Sequence, residues 1–65
     1  MCEEYKGYSI NVIWNDKTMG FDFRVCDAGG AEIGRNELSF FYAENALAAA
    51  RTVADKRLES GDGEL

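Results

Sequence analysis

Histidine and proline are missing from the chain, and only two of its 65 residues are cysteine. Without histidine, the sequence lacks the side chain that most often serves as a general acid or base near neutral pH. Cys2 and Cys26 form no C-x-x-C motif, and a zinc site needs about four nitrogen or sulfur ligands. The sequence therefore predicts no catalytic site, no metal site and no cofactor, and we expect a protein that is not an enzyme.

Asp22, Asp27 and Glu32 are the carboxylates on which an enzymatic alternative would depend. Such a site requires the three side chains to converge in the fold, whereas surface carboxylates are far more often simply solvated. The glycines of GGAEIG do not fit the spacing of a phosphate-binding or dinucleotide-binding loop. The sequence therefore favours solvated acids and glycine turns over a carboxylate-based active site.

Positive charge is also scarce, because seven lysines and arginines stand against twelve acids for a net charge of −5. Nucleic-acid binders gain most of their affinity by neutralising phosphates with basic side chains. The charge argues against nucleic acid and anionic membranes as partners, and it permits a basic protein partner. No apolar run approaches the roughly 18 residues of a membrane span, and Glu3 and Glu4 do not suit a signal peptide. We expect a bacterial cytoplasmic protein.

Two segments alternate apolar and polar residues with the period of a half-buried strand. The first begins at Tyr8 and the second at Phe21, and residues 15–20 (NDKTMG) indicate the turn between them. Antiparallel pairing through this turn predicts that Trp14 faces Phe21 on the core side. The same register places the following residues opposite each other: Val12 and Phe23, Ile10 and Val25, and on the reverse side Asn11 and Arg24, Ser9 and Cys26.

A third strand is expected within residues 31–41, after a turn at Gly29 and Gly30. Its alternation breaks, because Ile33 is at an odd position while Leu38 and Phe40 are at even ones. A bulge or kink at residues 34–36 would explain the break, and the sequence leaves the register of this strand open.

Residues 43–58 carry one apolar stripe with helical spacing, formed by Ala43, Ala46, Leu47, Ala50, Val53, Ala54 and Leu58. Arg51 and Asp55 have the spacing of a helical ion pair, and Lys56 and Arg57 are expected near the helix end. Gly61 is expected just after that end. The predicted fold is a single α+β domain (1–65): a three-stranded antiparallel β-meander with one C-terminal helix packed on one face. Residues 1–4 and 61–65 are expected to be flexible.

Three consecutive aromatic residues, Phe40, Phe41 and Tyr42, cannot all point into one core. At least one is therefore expected on the surface, where it would form a contact patch beside Ile13. The predicted interaction surface comprises Ile13, Phe41 and Tyr42.

The segments YKGYSINVIW and SFFYAENALAAARTVADKRL, joined through a glycine turn, resemble a group of small uncharacterised bacterial stand-alone β-β-β-α domains. This resemblance spans nearly the whole chain and implies a fold without a function. GFDFRV and AENALAAA are also similar to the second strand and the helix of HicB-type antitoxins. The chain lacks the P-D-L-P-G-C-like stretch of that family, so no functional residue carries over.

Two functions follow as expectations from these features. The first is a non-catalytic protein-interaction module that binds another protein or a second copy as a homodimer, because a sheet with an uncovered face and an unpaired edge invites pairing. The alternative is a nucleic-acid-binding accessory or antitoxin-like domain, which the aromatic residues suggest and the negative charge opposes.

Overall fold

The structure, a computed structural model, describes residues 1–63, with side chains described as far as residue 59. Its elements are β1 (Cys2–Tyr5), β2 (Tyr8–Asn15), β3 (Gly20–Cys26), β4 (Glu32–Arg35) and α1 (Ala43–Gly63). The strands form one antiparallel sheet in the order β1-β2-β3-β4, and α1 packs on one face. The α+β class, the antiparallel sheet and the C-terminal helix are thus confirmed. The predicted number of strands is wrong, because the sheet has four.

The additional strand is β1, most of which falls within residues 1–4, the segment expected to be flexible. Tyr5 pairs with Tyr8, so only Lys6 and Gly7 connect β1 to β2. Both residues have positive φ angles, 52° and 89°, as a type I′ hairpin turn requires. The sequence feature that corresponds to this turn is the Lys-Gly pair between two tyrosines.

The central pair of strands has the predicted register. Trp14 pairs with Phe21, and the further partners are Val12 with Phe23, Ile10 with Val25, Asn11 with Arg24, and Ser9 with Cys26. This register is well specified because a shift by one residue would turn the phenylalanines of β3 away from the core.

The third strand of the prediction is split in two by an irregular segment. In β4, Glu32 pairs with Cys26 and Gly34 with Val25, which leaves Ile33 as an extra, bulged residue. The chain leaves the sheet after Arg35 and returns at Phe40, which pairs with Phe21. Two interruptions therefore explain the broken alternation, and the bulge begins one residue earlier than predicted.

The core lies between α1 and the strands that it covers. Ala46, Ala50 and Ala54 are fully buried against side chains of β2 and β3, namely Ile10, Val12, Phe23 and Val25. Small residues let the helix approach the sheet closely, and dense packing then needs large residues on the sheet. The helix lies so close that a Cβ atom added at Gly34 would lie 2.6 Å from Cγ1 of Val53.

The end of the helix differs from the prediction. It continues through Gly61 to Gly63, so Lys56 and Arg57 precede its last turn. Glu64 and Leu65, the rest of the predicted flexible tail, lie outside the described residues.

Arg51 and Asp55 reach across to the sheet instead of pairing with each other. Nε and Nη2 of Arg51 donate to the Glu3 carboxylate, both at 2.7 Å. Asp55 accepts hydrogen bonds from the Tyr5 hydroxyl at 3.1 Å and from Nζ of Lys6 at 3.0 Å. These contacts attach β1 to the helix.

Candidate interaction surface

All three residues of the predicted interaction surface are exposed. Ile13 is 53% exposed, Phe41 77% and Tyr42 55%. Phe40, in contrast, is half-buried and packs against Phe23 with ring centroids 6.0 Å apart. The backbone pairing of Phe40 with Phe21 explains the difference, since it continues the sheet and directs Phe40 toward the core. The expectation that at least one of the three consecutive aromatic residues lies on the surface is confirmed.

Further large apolar side chains are exposed at the same end of the sheet. We call this region, which contains the β2–β3 turn, the apolar end; its exposed residues are Ile13, Trp14, Met19, Leu38, Phe41 and Tyr42. Ile13 and Trp14 lie near the end of β2, and Met19 lies in the turn. Leu38, Phe41 and Tyr42 lie on either side of Phe40, which pairs with Phe21. The apolar end thus collects residues that are distant in sequence.

Trp14 is more exposed than its predicted place on the core side of the sheet implies. It does lie on that side of the sheet, where its ring meets Phe21 edge-on at a centroid distance of 5.1 Å. Its side chain is nevertheless exposed, and Nε1 donates a hydrogen bond to Asp16. The strand extends beyond the region that α1 covers, so alternation alone could not show that this position is solvent-accessible.

The open face of the sheet, opposite α1, contains a groove with a volume of about 650 Å³. Ile13 and Leu38 supply apolar lining, and Asp22, Arg24 and Arg35 are among its polar residues. Phe41 and Tyr42 do not line this groove but pack on each other, with ring centroids 4.8 Å apart. The predicted surface therefore divides into a groove side with Ile13 and an aromatic pair before α1.

Asp22 organises one wall of the groove. Its carboxylate accepts hydrogen bonds from Oγ of Ser39 at 2.6 Å and from Nδ2 of Asn15 and Asn36, both at 2.8 Å. These bonds, that from Ser39 foremost, hold the pKa of Asp22 below its ordinary value because they favour the ionised form. The bonds from Ser39 and Asn36 also attach the segment between β4 and α1 to β3.

Asn36 substitutes for a backbone partner where the chain leaves the sheet. Its Oδ1 accepts the backbone N–H of Phe23 at 3.0 Å, and its Nδ2 also donates to the carbonyl of Leu38 at 3.1 Å. A strand residue would otherwise have to satisfy the N–H of Phe23. The amide thus lets residues 36–39 leave the sheet and expose Leu38 without leaving this donor unpaired.

Two arginines share one glutamate further along the open face. Nε of Arg35 donates to Glu32 at 2.6 Å and its Nη2 at 2.8 Å, while Nε of Arg24 lies 3.2 Å from the same carboxylate. The hydrogen bond from Arg35 is the main reason that the pKa of Glu32 is lowered. Glu32 therefore forms surface ion pairs with both arginines.

The carboxylates of the enzymatic alternative have separate partners. Asp22 binds neutral donors, Glu32 binds arginines, and Oδ1 of Asp27 accepts the N–H groups of Gly29 and Ala31 in a turn, both at 2.9 Å. Within residues 1–59, whose side chains the structure describes, no three His, Cys, Asp or Glu side chains are grouped to hold a metal ion. The described geometry accounts for each carboxylate through local contacts.

Comparison with known proteins adds no relative: no family model, no curated protein and no solved structure matches the chain. In the part of the chain that the structure describes, no helix combines the length and the apolar character that crossing a membrane requires. The resemblances to small bacterial domains and to HicB-type antitoxins therefore stay predictions.

Proposed function

We propose that this domain is a non-catalytic protein-interaction module and that the apolar end is its contact surface. The observation that carries the proposal is the concentration of exposed large apolar side chains at one end of the sheet. Single exposed apolar residues are common and need no explanation. A group of exposed apolar side chains that includes aromatic residues and methionine and is rimmed by polar side chains is, in contrast, typical of protein interfaces.

The surrounding charges favour a protein over a nucleic acid as partner. Arg24 and Arg35 are the arginines on the groove, and Glu32 is paired with both. The chain has a net charge of −5, so its long-range field repels phosphates. A partner can be a different protein or a second copy of the chain, and solution measurements distinguish these two cases.

A tagged pull-down from the native cell, with and without nuclease, tests the proposal. The variant is Phe41→Ser with Tyr42→Ser, which removes the exposed aromatic pair. Its matched control is Lys56→Ser with Arg57→Ser, which changes two exposed adjacent residues on α1. We expect wild type and control to retain a stoichiometric, nuclease-resistant protein. The aromatic variant should retain at least ten-fold less of it, because truncating an interface hot spot, a class enriched in tyrosine, costs about 2 kcal/mol or more.

Other outcomes would indicate a different contact surface or a different class of partner. Equal capture by both double variants would remove the aromatic pair from the contact surface. Nuclease-sensitive recovery of nucleic acid would instead support the nucleic-acid-binding alternative. Sedimentation of the purified chain up to millimolar concentration tests self-association, and a dimer that the aromatic variant abolishes would identify a second copy as the partner.

A further inference from the structure

The outer edge of β1 carries backbone groups that the sheet leaves unpaired. Val12 donates its N–H to the Met1 carbonyl at 2.8 Å, and the Met1 nitrogen donates to the Val12 carbonyl at 3.0 Å. Hydrogen-bonded pairs alternate along an antiparallel ladder, so Glu3 with Ile10 is the next such pair. The N–H and C=O groups of Cys2 and Glu4 therefore point away from β2.

The two edges of the sheet differ in how well they could accept another strand. On β4, the bulge at Ile33 and the departure of the chain after Arg35 leave a short, irregular edge. Bulges of this kind protect edges against further pairing. On β1 the register is regular, and α1 reaches the strand through the side chains of Glu3 and Tyr5 on one face. Among residues 1–63, no backbone group pairs with the outer edge of β1.

A second copy of β1 is a poor partner for this edge. If Cys2 and Glu4 of two copies exchanged hydrogen bonds, antiparallel pairing would place Glu3 directly opposite Glu3. A shift by one residue along each strand would place Glu4 opposite Glu4. Like charges directly opposite each other destabilise a sheet. Arg51 compensates Glu3 in the first register, but that register sets Glu4 opposite Cys2 and the second sets it opposite another Glu4, so neither supplies a cation for Glu4.

Resting on the interaction role proposed above, we infer that the β1 edge binds an extended segment of another protein that presents a lysine or arginine opposite Glu4. Arg51 already neutralises Glu3, whereas Glu4 is exposed and has no ion-pair partner among the described residues. The added segment would supply backbone hydrogen bonds to Cys2 and Glu4, as in other cases of strand addition. The charge opposite Glu4 would select a basic segment and reject an acidic one.

Titration with two synthetic peptides, followed by NMR of the labelled full chain, tests this inference. The probes are acetylated, amidated Thr-Lys-Val-Lys-Val-Lys-Thr and the same peptide with glutamate in place of lysine. We expect the lysine peptide to shift the amide signals of Cys2 and Glu4 and to slow their hydrogen exchange. The glutamate peptide should do neither. In the Glu4→Lys variant we expect the preference between the two peptides to reverse.

Glu59→Lys is the matched control, because it makes the same change of charge at an exposed position on α1. It should retain the wild-type preference. The inference is overturned if the lysine peptide leaves the β1 amides unchanged at millimolar concentration, if its shifts lie mainly on α1, or if Glu4→Lys and Glu59→Lys behave alike.

Failure here is distinguishable from failure of the proposed function. The Phe41→Ser and Tyr42→Ser double variant leaves β1 unchanged, so it should bind the lysine peptide as wild type does. If it loses the cellular partner while Glu4→Lys keeps it, the apolar end is the contact surface and the β1 edge is not. If Glu4→Lys alone loses the partner, the edge carries the interaction and the apolar end does not.

Discussion

The two faces of the sheet are built from the same four strands but are stabilised in different ways. On the face covered by α1, the side chains of Ile10 and Val25 are fully buried against the alanines of the helix. On the open face, Asp22 and Glu32 are surrounded by hydrogen-bond donors and arginines instead. The covered face is therefore stabilised by close packing, and the open face by directed polar contacts.

This difference indicates which face can vary without loss of the fold. Close packing penalises any change of volume between sheet and helix. An exposed position on the open face loses little when its side chain changes, because water replaces the lost contacts. The open face and the apolar end can therefore acquire binding residues while the covered face maintains the structure.

The largest expected effect contrasts two isoleucines of β2. Ile10→Ala removes a fully buried side chain and should lower the free energy of unfolding by about 2–5 kcal/mol. A chain of this length is expected to be stable by about 3–10 kcal/mol, so this variant loses a large share of the total and unfolds outright only if the wild type lies at the low end of that range. Ile13→Ala, on the open face, should change stability by about 0.5 kcal/mol or less. Urea denaturation checks both values, and similar losses would contradict the contrast between the faces.

A smaller effect is expected where β4 meets the helix. Gly34→Ala would place its Cβ atom 2.6 Å from Cγ1 of Val53, so the core must shift, with an expected loss of about 1–3 kcal/mol. The matched control is Gly29→Ala, whose Cβ would lie at an ordinary distance of 3.5 Å from Oδ1 of Asp27.

Combining Gly34→Ala with Val53→Ala sharpens this test. The second change removes the side chain that the new methyl group meets, so the double variant should lose less stability than the sum of the two single variants. Thermal denaturation of the four proteins supplies the cycle, and strict additivity would show that Val53 does not limit the space beside Gly34.

The smallest expected effect is a dependence of the free energy of unfolding on pH, which arises from the hydrogen bonds of Asp22. The folded-state pKa of Asp22 is lowered by its hydrogen bonds, so its contribution to stability is complete above its unfolded pKa of about 4 and is lost as the pH falls through the folded value. Asp22→Asn removes this titration. Stability measured by urea denaturation between neutral and acidic pH should therefore fall less steeply in the variant. An unchanged slope would exclude Asp22 as a contributor.

Much of the covered face could be predicted from the sequence. Alternation identified the register that pairs Val12 with Phe23, and helical spacing identified the stripe that contains Ala46 and Ala50. Both patterns are local, because a residue's face follows from its position in a strand or helix. The exposure of an aromatic residue beside α1 was likewise predictable, since adjacent residues cannot share one direction.

The additional strand and its contacts were not predictable in the same way. β1 has only four residues and two glutamates, which gives little hydrophobic alternation. Arg51 has Asp55 four residues away in sequence, yet its partner is Glu3, because the fold places β1 beside α1. A long side chain pairs with whatever lies near it in space, and sequence spacing reports only neighbours on the same element.

The sequence by itself determined the composition of the core, the central pair of strands and the helix, because hydrophobic periodicity assigns residues to faces. Only the tertiary structure decided which faces become covered. It placed β1 at the edge, made Leu38 solvent-exposed through the hydrogen bonds of Asn36, and left Trp14 beyond the reach of α1. Solvent exposure depends on the packing of elements that are distant in sequence. For this reason the sequence predicted Ile13, Phe41 and Tyr42 at the candidate surface, whereas the exposure of Trp14, Met19 and Leu38 beside them emerged only from the fold.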